Sequence, residues 1–540
     1  MPAAYQHLRV RLHIEQTRLL NWGQKVGLAE ELLESPSQIL QLQRNLIIDI
    51  LLEVQTLFKS IIKIKMKYDS AVSPKPLVSR SYTDFFSRRF APTTNNFLRR
   101  TLLVAERVPE ISKRLQWAVV KHERFRDLIE KLIGYNDSME ALLDRTTIDS
   151  LHGLQQQTHL MMLQLNSRVE ELTEVSLAMQ IGTQTPENLA NLGSPTHSAV
   201  TLNQQTSNAS LASLADFKSQ QASIELEKSY VEPVKRSEIK ITTVGITRSE
   251  AVYQKKHVWI EWKIYSPEYV VLMEDRIMKL AILLGSEHKP EQFGAPHCMG
   301  YFGDVTDRQH RFGMIYAKPP TVQRDVKPVS LQDLIHGQQI PSLNKRVTLA
   351  HAVARCLMYL HAVNWLHKCF RSDNVVFFTP PGCGTDYATP LLCGYEYARP
   401  DLSDEPTEEA SGSPESDLYR HPSVLDRADP NARSRKSHDI YSLGVVLVEI
   451  AHWKPVEQVI NRLRDSKTCG NQEILLSRNS LTEVESIAGE AYAKVVQKCF
   501  IGGEELGLYN GADETDQQVG AEMQRIFARD LVDRLSAIRL

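Results

Sequence analysis

The chain has 540 residues, with 63 Lys and Arg against 65 Asp and Glu, so its length allows roughly two to four domains and its even charge gives no argument for nucleic acid, which is not expected as a partner. All seven cysteines fall between Cys298 and Cys499, without a CxxC pair or zinc-type spacing. With no secretory signal and no apolar run of about 18 residues, a reduced, cytoplasmic protein without a transmembrane helix is expected.

Leu8, Leu12, Leu19, Trp22 and Val26 recur at three- and four-residue steps, which predicts a first helix with one buried face. In "ESPSQIL", Ser35 suits an N-cap, Pro36 the first helical position and Gln38 a capping box. A second, strongly apolar helix therefore starts there and runs to about Tyr68, needing cover on several sides. Residues 70–98 read as a loop. From Pro109 the stripe Ile111, Leu115, Ala118, His122, Phe125, Ile129, Leu132, Met139 and Leu142 predicts a third helix, with His122 a core or boundary histidine rather than a ligand. A further helix over about 148–179 makes residues 1–180 an all-α bundle.

Residues 181–235 are rich in Ser, Thr, Asn and Gln and read as a polar, partly disordered linker. Beyond 236, "SEIKITTVGI" and "KKHVWIEWKIY" alternate like paired strands, "MEDRIMKLAILL" has a helical pattern, and "GYFGDVTDRQHRFGMIYAKP" reads as a hairpin. "NKRVTLAHAVARCLMYLHAV" and "HDIYSLGVVLVEIAHW" read as helices. Strands first and helices later imply an α+β domain, with a β-rich small lobe over about 236–325 and a helical large lobe over about 326–540.

The stretch "WLHKCFRSDNVVFF" (365–378) has the outline of a catalytic loop, and with its neighbours it makes residues 236–540 resemble a protein-kinase domain. On that resemblance Lys263 matches the strand lysine that holds nucleotide phosphates. Glu274 and Asp275 are both candidates to pair with it, and Arg276 fits the same slot. The Gly-rich loop is missing: Gly245 is the one glycine between 236 and 263, and "TRSEAVYQ" offers bulk instead. His367 and Asn374 match the loop's His and Asn, but Cys369 replaces the Asp that would orient the accepting hydroxyl. A thiol, ordinarily with a pKa of ~8.5, carries no fixed negative charge at neutral pH. In "LLCGYEYAR", Gly394, Tyr395 and Glu396 stand where the magnesium-binding Asp-Phe-Gly would be, and magnesium needs oxygen ligands. "YRHPS" (419–423) resembles the end of an activation segment with Ser423 in place of its glutamate, and Asp439 matches the helix residue that anchors the catalytic loop.

The resemblance thus implies a pseudokinase. Cys369 and Gly394 are its degenerate catalytic positions, Lys263 and Asn374 its nucleotide-holding residues if any, and His367 and Asp439 its scaffold. ATP is the nucleotide implied, magnesium is not expected, and no metal ligands are assigned.

In the N-terminal part, "RLLNWGQKVGL" (Arg18, Leu19, Trp22, Gly23, Val26, Gly27 and Leu28) and the frame Trp117, Ala118, Phe125, Leu128, Ile129 and Leu132 resemble the HeLo domain of fungal prion-inhibition and incompatibility proteins. That resemblance implies a helical bundle acting in cell-death signalling, through protein partners or self-association. In the family an apolar segment generally precedes the first of these helices; here four residues precede Tyr5, so the sequence start is expected to be truncated or the membrane-inserting element lost. Peripheral plasma-membrane contact on activation is a lesser expectation. It rests on residues 1–150, which carry 23 Lys and Arg against 17 Asp and Glu, including Lys59, Lys63, Lys65 and Lys67. The leading expectation is a non-catalytic regulator in fungal incompatibility or cell death. An active atypical Ser/Thr kinase and an assembly scaffold without a membrane role are the alternatives.

Overall fold

A computed structural model describes residues 6–26, 44–69, 122–143 and 169–180, with helical residues at 147–148, 151–152, 154–155, 159–160, 162–163, 215 and 217–218. It also describes 232–539 apart from 246, 287–288, 307–308, 321, 323–325, 338, 380–383, 402–413, 426–432, 465–470, 507, 509–511 and 515. The chain divides into two compact units, Met1–His159 with Glu170–Ala215, and Leu160–Val169 with Asp216–Leu540.

The first unit is helical: α1 (Gln6–Lys25), α2 (Arg44–Asp69), α3 (His122–Glu140) and α4 (Val169–Gln180). The expected face of α1 is buried, with Leu8, Leu12, Leu19, Trp22 and Val26 meeting Ile47, Leu51, Val54 and Phe58 of α2 and Ile129, Leu132 and Met139 of α3. Fully burying each such side chain contributes about 1.5–3 kcal/mol. The helix start at Ser35, the third-helix residues before 122, and the side chains of His122, Phe125, Lys59, Lys63, Lys65 and Lys67 lie outside the described residues.

Between α1 and α3 lies an ionic cluster that hydrophobic periodicity does not signal. Arg18 donates to both oxygens of Glu140 (2.6 and 2.8 Å), to Asp137 (2.6 Å) and to Glu15 (3.2 Å), while Arg11 pairs with Glu15 at 2.6 Å. Asn136 closes it by donating to the Glu15 carbonyl and carboxylate. Charges this buried persist only when paired and hydrogen-bonded. Among the described residues no helix is long and apolar enough to cross a membrane.

The second unit begins with an antiparallel sheet of β1 (Lys240–Thr243), β2 (Arg248–Tyr253), β3 (Lys256–Tyr265), β4 (Cys298–Thr306) and β5 (Gln309–Ala317), in the order β1-β2-β3-β5-β4. The hairpin expected at 300–319 is β4–β5. The two segments expected to alternate like paired strands, β1 and β3, each pair with β2, "RSEAVY", which lies between them. Tyr253 pairs with Lys256 across a two-residue turn whose Gln254 and Lys255 have φ of 47° and 62°, the positive-φ geometry whose twist suits a hairpin. At the centre of β3 six consecutive residues are buried. Val258, Ile260 and Trp262 enter a core with Phe302 and Ile315, and alternation sends Trp259, Glu261 and Lys263 to the opposite face. Helix α5 (Val270–Gly285) packs on this sheet through Met273, Ile277, Leu280 and Leu284.

The rest of the unit is mostly helical, around α6 (Leu343–Ala362), α7 (Lys436–His452) and α8 (Glu490–Ile501). Nearly every residue of α7 is buried. Gly444 makes its close approach to α8 feasible, since a Cβ there would lie 2.7 Å from the Cβ of Cys499. Short strands β6 (Pro328–Ser330), β7 (Trp365–Leu366), β8 (Val375–Phe378), β9 (Leu391–Leu392) and β10 (Arg399–Pro400) pair as β6-β8-β9 and β10-β7. Of the segment read as a polar linker, most lies outside the described residues. Ala215, Phe217 and Lys218 are helical and buried, with Phe217 edge-on to Phe293 at 5.4 Å and Lys218 Nζ donating to the Leu163 carbonyl at 2.5 Å.

Candidate functional site

The ladders β7–β10 and β8–β9 deliver two facing loops, 367–374 and 393–398, beneath the polar face of β3. Asp439 near the start of α7 holds the first loop. Its carboxylate accepts from the backbone N–H of His367 (2.7 Å) and of Lys368 (2.8 Å), and lies 3.2 Å from His361 Nε2. Burial opposes its charge, but the hydrogen bonds it accepts and the electrostatic attraction of the two histidines hold its carboxyl below the usual range. Lys368, fixed by this bond, has φ of 63°, a left-handed conformation that costs a non-glycine residue about 1–2 kcal/mol. Asp439→Asn leaves one buried N–H without an acceptor; a loss of about 3 kcal/mol is expected in urea unfolding, with the Lys368 amide exchanging faster.

His367 is fully buried. The Cys369 N–H donates to its Nδ1 (3.3 Å), which assigns the proton to Nε2, and Nε2 donates to the Cys393 carbonyl at 2.9 Å. Burial pushes this imidazole down to about 4, so it is neutral and structural at physiological pH. Cys369 lies 3.9 Å from a Glu396 oxygen, and burial together with that carboxylate pushes the thiol up to about 12. It is neither base nor thiolate nucleophile. Burial and the nearby Glu261 push the Glu396 carboxyl above its usual range as well.

Two residues that the sequence did not single out dominate the site. Arg248 of β2 pairs with its cross-strand neighbour Glu261 at 2.8 Å, then donates to the Asp373 carbonyl (2.8 Å) and to Asn374 Oδ1 (3.0 Å). Glu261 in turn accepts from the Gly394 N–H at 3.0 Å. One guanidinium and one carboxylate thus tie the sheet to both loops.

The expected residues are brought together, but around each other. The Asn374 oxygen that would ligate a metal accepts from Arg248, while its Nδ2 donates to the Cys369 carbonyl at 2.9 Å. Gly394 has φ of 78°, and a Cβ on it would meet Asn374 Nδ2 at 2.0 Å, so in this arrangement no carboxylate side chain fits there. Lys263 is buried with its Nζ 4.0 Å from the centroid of the Tyr397 ring. Of the acids proposed as its partner, Asp275 pairs with Lys279 at 2.8 Å. Among the described residues no group of three His, Cys, Asp or Glu side chains could hold a metal ion. With the Asn374 oxygen bonded to Arg248 and no room for a side chain at Gly394, the residues in this arrangement do not fit a magnesium–nucleotide.

Behind the first loop, Tyr419 donates to Glu449 Oε1 (2.7 Å) and lies 3.0 Å from Ser372 Oγ, while the Val456 N–H donates to the same carboxylate oxygen at 2.8 Å. Burial pushes Glu449 up to about 7. The folded state therefore binds its proton more tightly than the unfolded chain, and that stability, present below the ordinary glutamate pKa, is lost as pH rises through about 7. Glu449→Gln keeps the acceptor oxygen and removes the titration, so urea midpoints measured from pH 5 to 8 should lose much of their decline, with the variant the more stable at pH 8.

Residues 306–530 match a family model described as a domain of unknown function, DUF7580. No curated protein matches the chain. Residues 1–175 match the family model HeLo, described as prion-inhibition and propagation. The helical N-terminal part of the chain is thus similar to the HeLo domain, and it is followed by a C-terminal region of antiparallel sheets and helices.

Proposed function

We propose that residues 236–540 are a degenerate, bilobal protein-kinase-like domain that transfers no phosphate and regulates the HeLo bundle in fungal incompatibility or cell-death signalling. The HeLo match carries the biological setting. The kinase-like reading draws support from the five-stranded sheet with the helix Val270–Gly285 packed on it, the helical part that follows, and the loop 367–374 hung from Asp439. The observation that carries inactivity is the closed cleft. Arg248 occupies the ligand oxygen of Asn374, and Gly394 leaves no room for a second ligand. Phosphoryl transfer rests almost wholly on positioning and charge stabilisation of a metal–nucleotide, and those parts are replaced.

The rival reading, an atypical kinase, draws on Glu396 beside Cys369 as a substitute carboxylate. Burial and the nearby Glu261 work against the charge on this carboxylate, which opposes metal binding there. Titration calorimetry of the full chain with ATP, with and without magnesium, should give no heat of binding. Radiolabelled transfer from ATP to a generic acceptor, abolished by Lys263→Ala, would restore the kinase. Leakage of anionic liposomes by the full chain would separate a membrane agent from a scaffold.

A further inference from the structure

Beneath the stretch 419–423, on the other side of Lys368 and Tyr397 from Arg248, lies a small, partly open pocket. Lys368, Arg420, His421 and His438 line it, with Tyr397, Asp439 and Ser442 among the remaining walls. The acid in its wall, Asp439, and the acids next to the lining residues are already engaged. Asp439 serves the backbone N–H groups of His367 and Lys368, Asp417 pairs with Arg420 at 2.6 Å, and Glu514 accepts from Ser437. The exposed side chain of Ser423 stands beside this cavity with its Oγ 2.7 Å from His421 Nδ1 and 3.2 Å from His438 Nε2.

The tautomers follow from the donors. The Arg435 N–H donates to His438 Nδ1 at 3.2 Å, so His438 Nε2 carries a proton and donates to Ser423 Oγ. The Ser423 N–H donates to His421 Nδ1 at 3.2 Å, leaving that nitrogen the acceptor for the Ser423 hydroxyl. The two imidazoles stack with centroids 4.8 Å apart. Burial, each other and Arg435 press against a positive charge on His438, and burial and Arg435 on His421. A hydroxyl needs none of these donors; a dianion would use Lys368 and Arg420 and would draw protons onto the two imidazoles.

We propose that Ser423 is a phosphorylation site and that its phosphate is received by His421, His438, Arg420 and Lys368 at this cavity. A protein Ser/Thr kinase acting on the chain supplies the group from ATP. The bond between the γ-phosphorus and the ADP oxygen breaks, the Ser423 Oγ–P bond forms, and the hydroxyl proton passes to that kinase's base. The modified side chain then accepts from His438 Nε2, and His421, now facing an acceptor, takes up a proton to become a donor. The loops joined here are those that Asp439 and α7 hold, so the phosphate would tighten the 419–423 segment against the first loop. The assignment is independent of whether the chain itself binds nucleotide.

The test is the full chain carrying genetically encoded phosphoserine at 423, compared with the unmodified chain and with phosphoserine at the exposed Ser486. Expected are imidazole titration midpoints for His421 and His438 that rise by about one unit or more, and a thermal midpoint that rises by about 2 °C or more. Phosphoserine at 486 should move neither. His438→Gln in the phosphorylated chain should remove at least half of the thermal gain, and Ser423→Ala, which forfeits only exposed hydrogen bonds, should leave the unmodified fold intact. Peptide mapping of the chain isolated from its own cells is expected to find phosphate on Ser423. Unmoved midpoints, a lowered melting temperature, or a Ser423 never phosphorylated in those cells would each overturn the assignment.

Discussion

Arg248→Ala is expected to destabilise the second unit by about 3–5 kcal/mol, because it strands the buried Glu261 carboxylate and removes donors from two other groups. The loss should exceed that of an exposed ion pair, which is worth at most about 1 kcal/mol. Urea unfolding followed by tryptophan fluorescence reads it directly, since Trp259 lies on the same face of β3, within 5.1 Å of Tyr316. A second substitution separates the stranded charge from lost packing. Arg248→Ala with Glu261→Gln should be more stable than Arg248→Ala alone, although it removes more of the native network, because the uncompensated charge is gone. The coupling between the two positions should reach about 2 kcal/mol. A single-variant loss below about 1 kcal/mol would mean that this pair does not hold the sheet to the loops.

That same pair marks where sequence reasoning stopped. The α1 face from Leu8 to Val26, the β4–β5 hairpin and the helix around Asp439 were legible because each is a local pattern whose period fixes which residues are buried. Arg248 was not, although "RSEAVY" alternates cleanly in the folded chain. Its meaning depends on standing opposite Glu261, and that register is set by the turn at Gln254 and Lys255. A Gln-Lys turn with positive φ at both residues carries none of the Asn-Gly signal that would announce it. The segment therefore read as a loop that had lost its glycines, when it is a strand whose arginine bonds to Glu261, the Asp373 carbonyl and Asn374. The Arg18 cluster escaped for a related reason: residues more than a hundred positions apart in the chain meet only after α1 and α3 pack. At Cys369 and Gly394 the expectation of missing acidic oxygens came from residue type alone. What residue type could not convey is that Gly394 is itself required by its neighbours.

Gly394→Asp tests that requirement and the proposed function together. On paper the substitution restores a metal ligand. In this fold the new Cβ would meet the Asn374 amide at 2.0 Å, and φ of 78° is strained for any residue with a side chain. Asn374 would have to move, giving up its bonds with Arg248 and with the Cys369 carbonyl. Backbone strain of about 1–2 kcal/mol and the displaced buried amide together predict a loss above about 3 kcal/mol, with no gain of magnesium-dependent ATP affinity. Gly394→Ala, which adds the clash without the charge, should lose a similar amount; a mild alanine and a severe aspartate would shift the cause from space to charge. Asn374→Gly in the aspartate background should recover stability by vacating the space, still without nucleotide binding, since the second oxygen ligand is then gone. Were Gly394→Asp instead to fold as well as the parent and bind magnesium–ATP, the cleft would be an active site lacking one carboxylate rather than a space its own arginine has taken over.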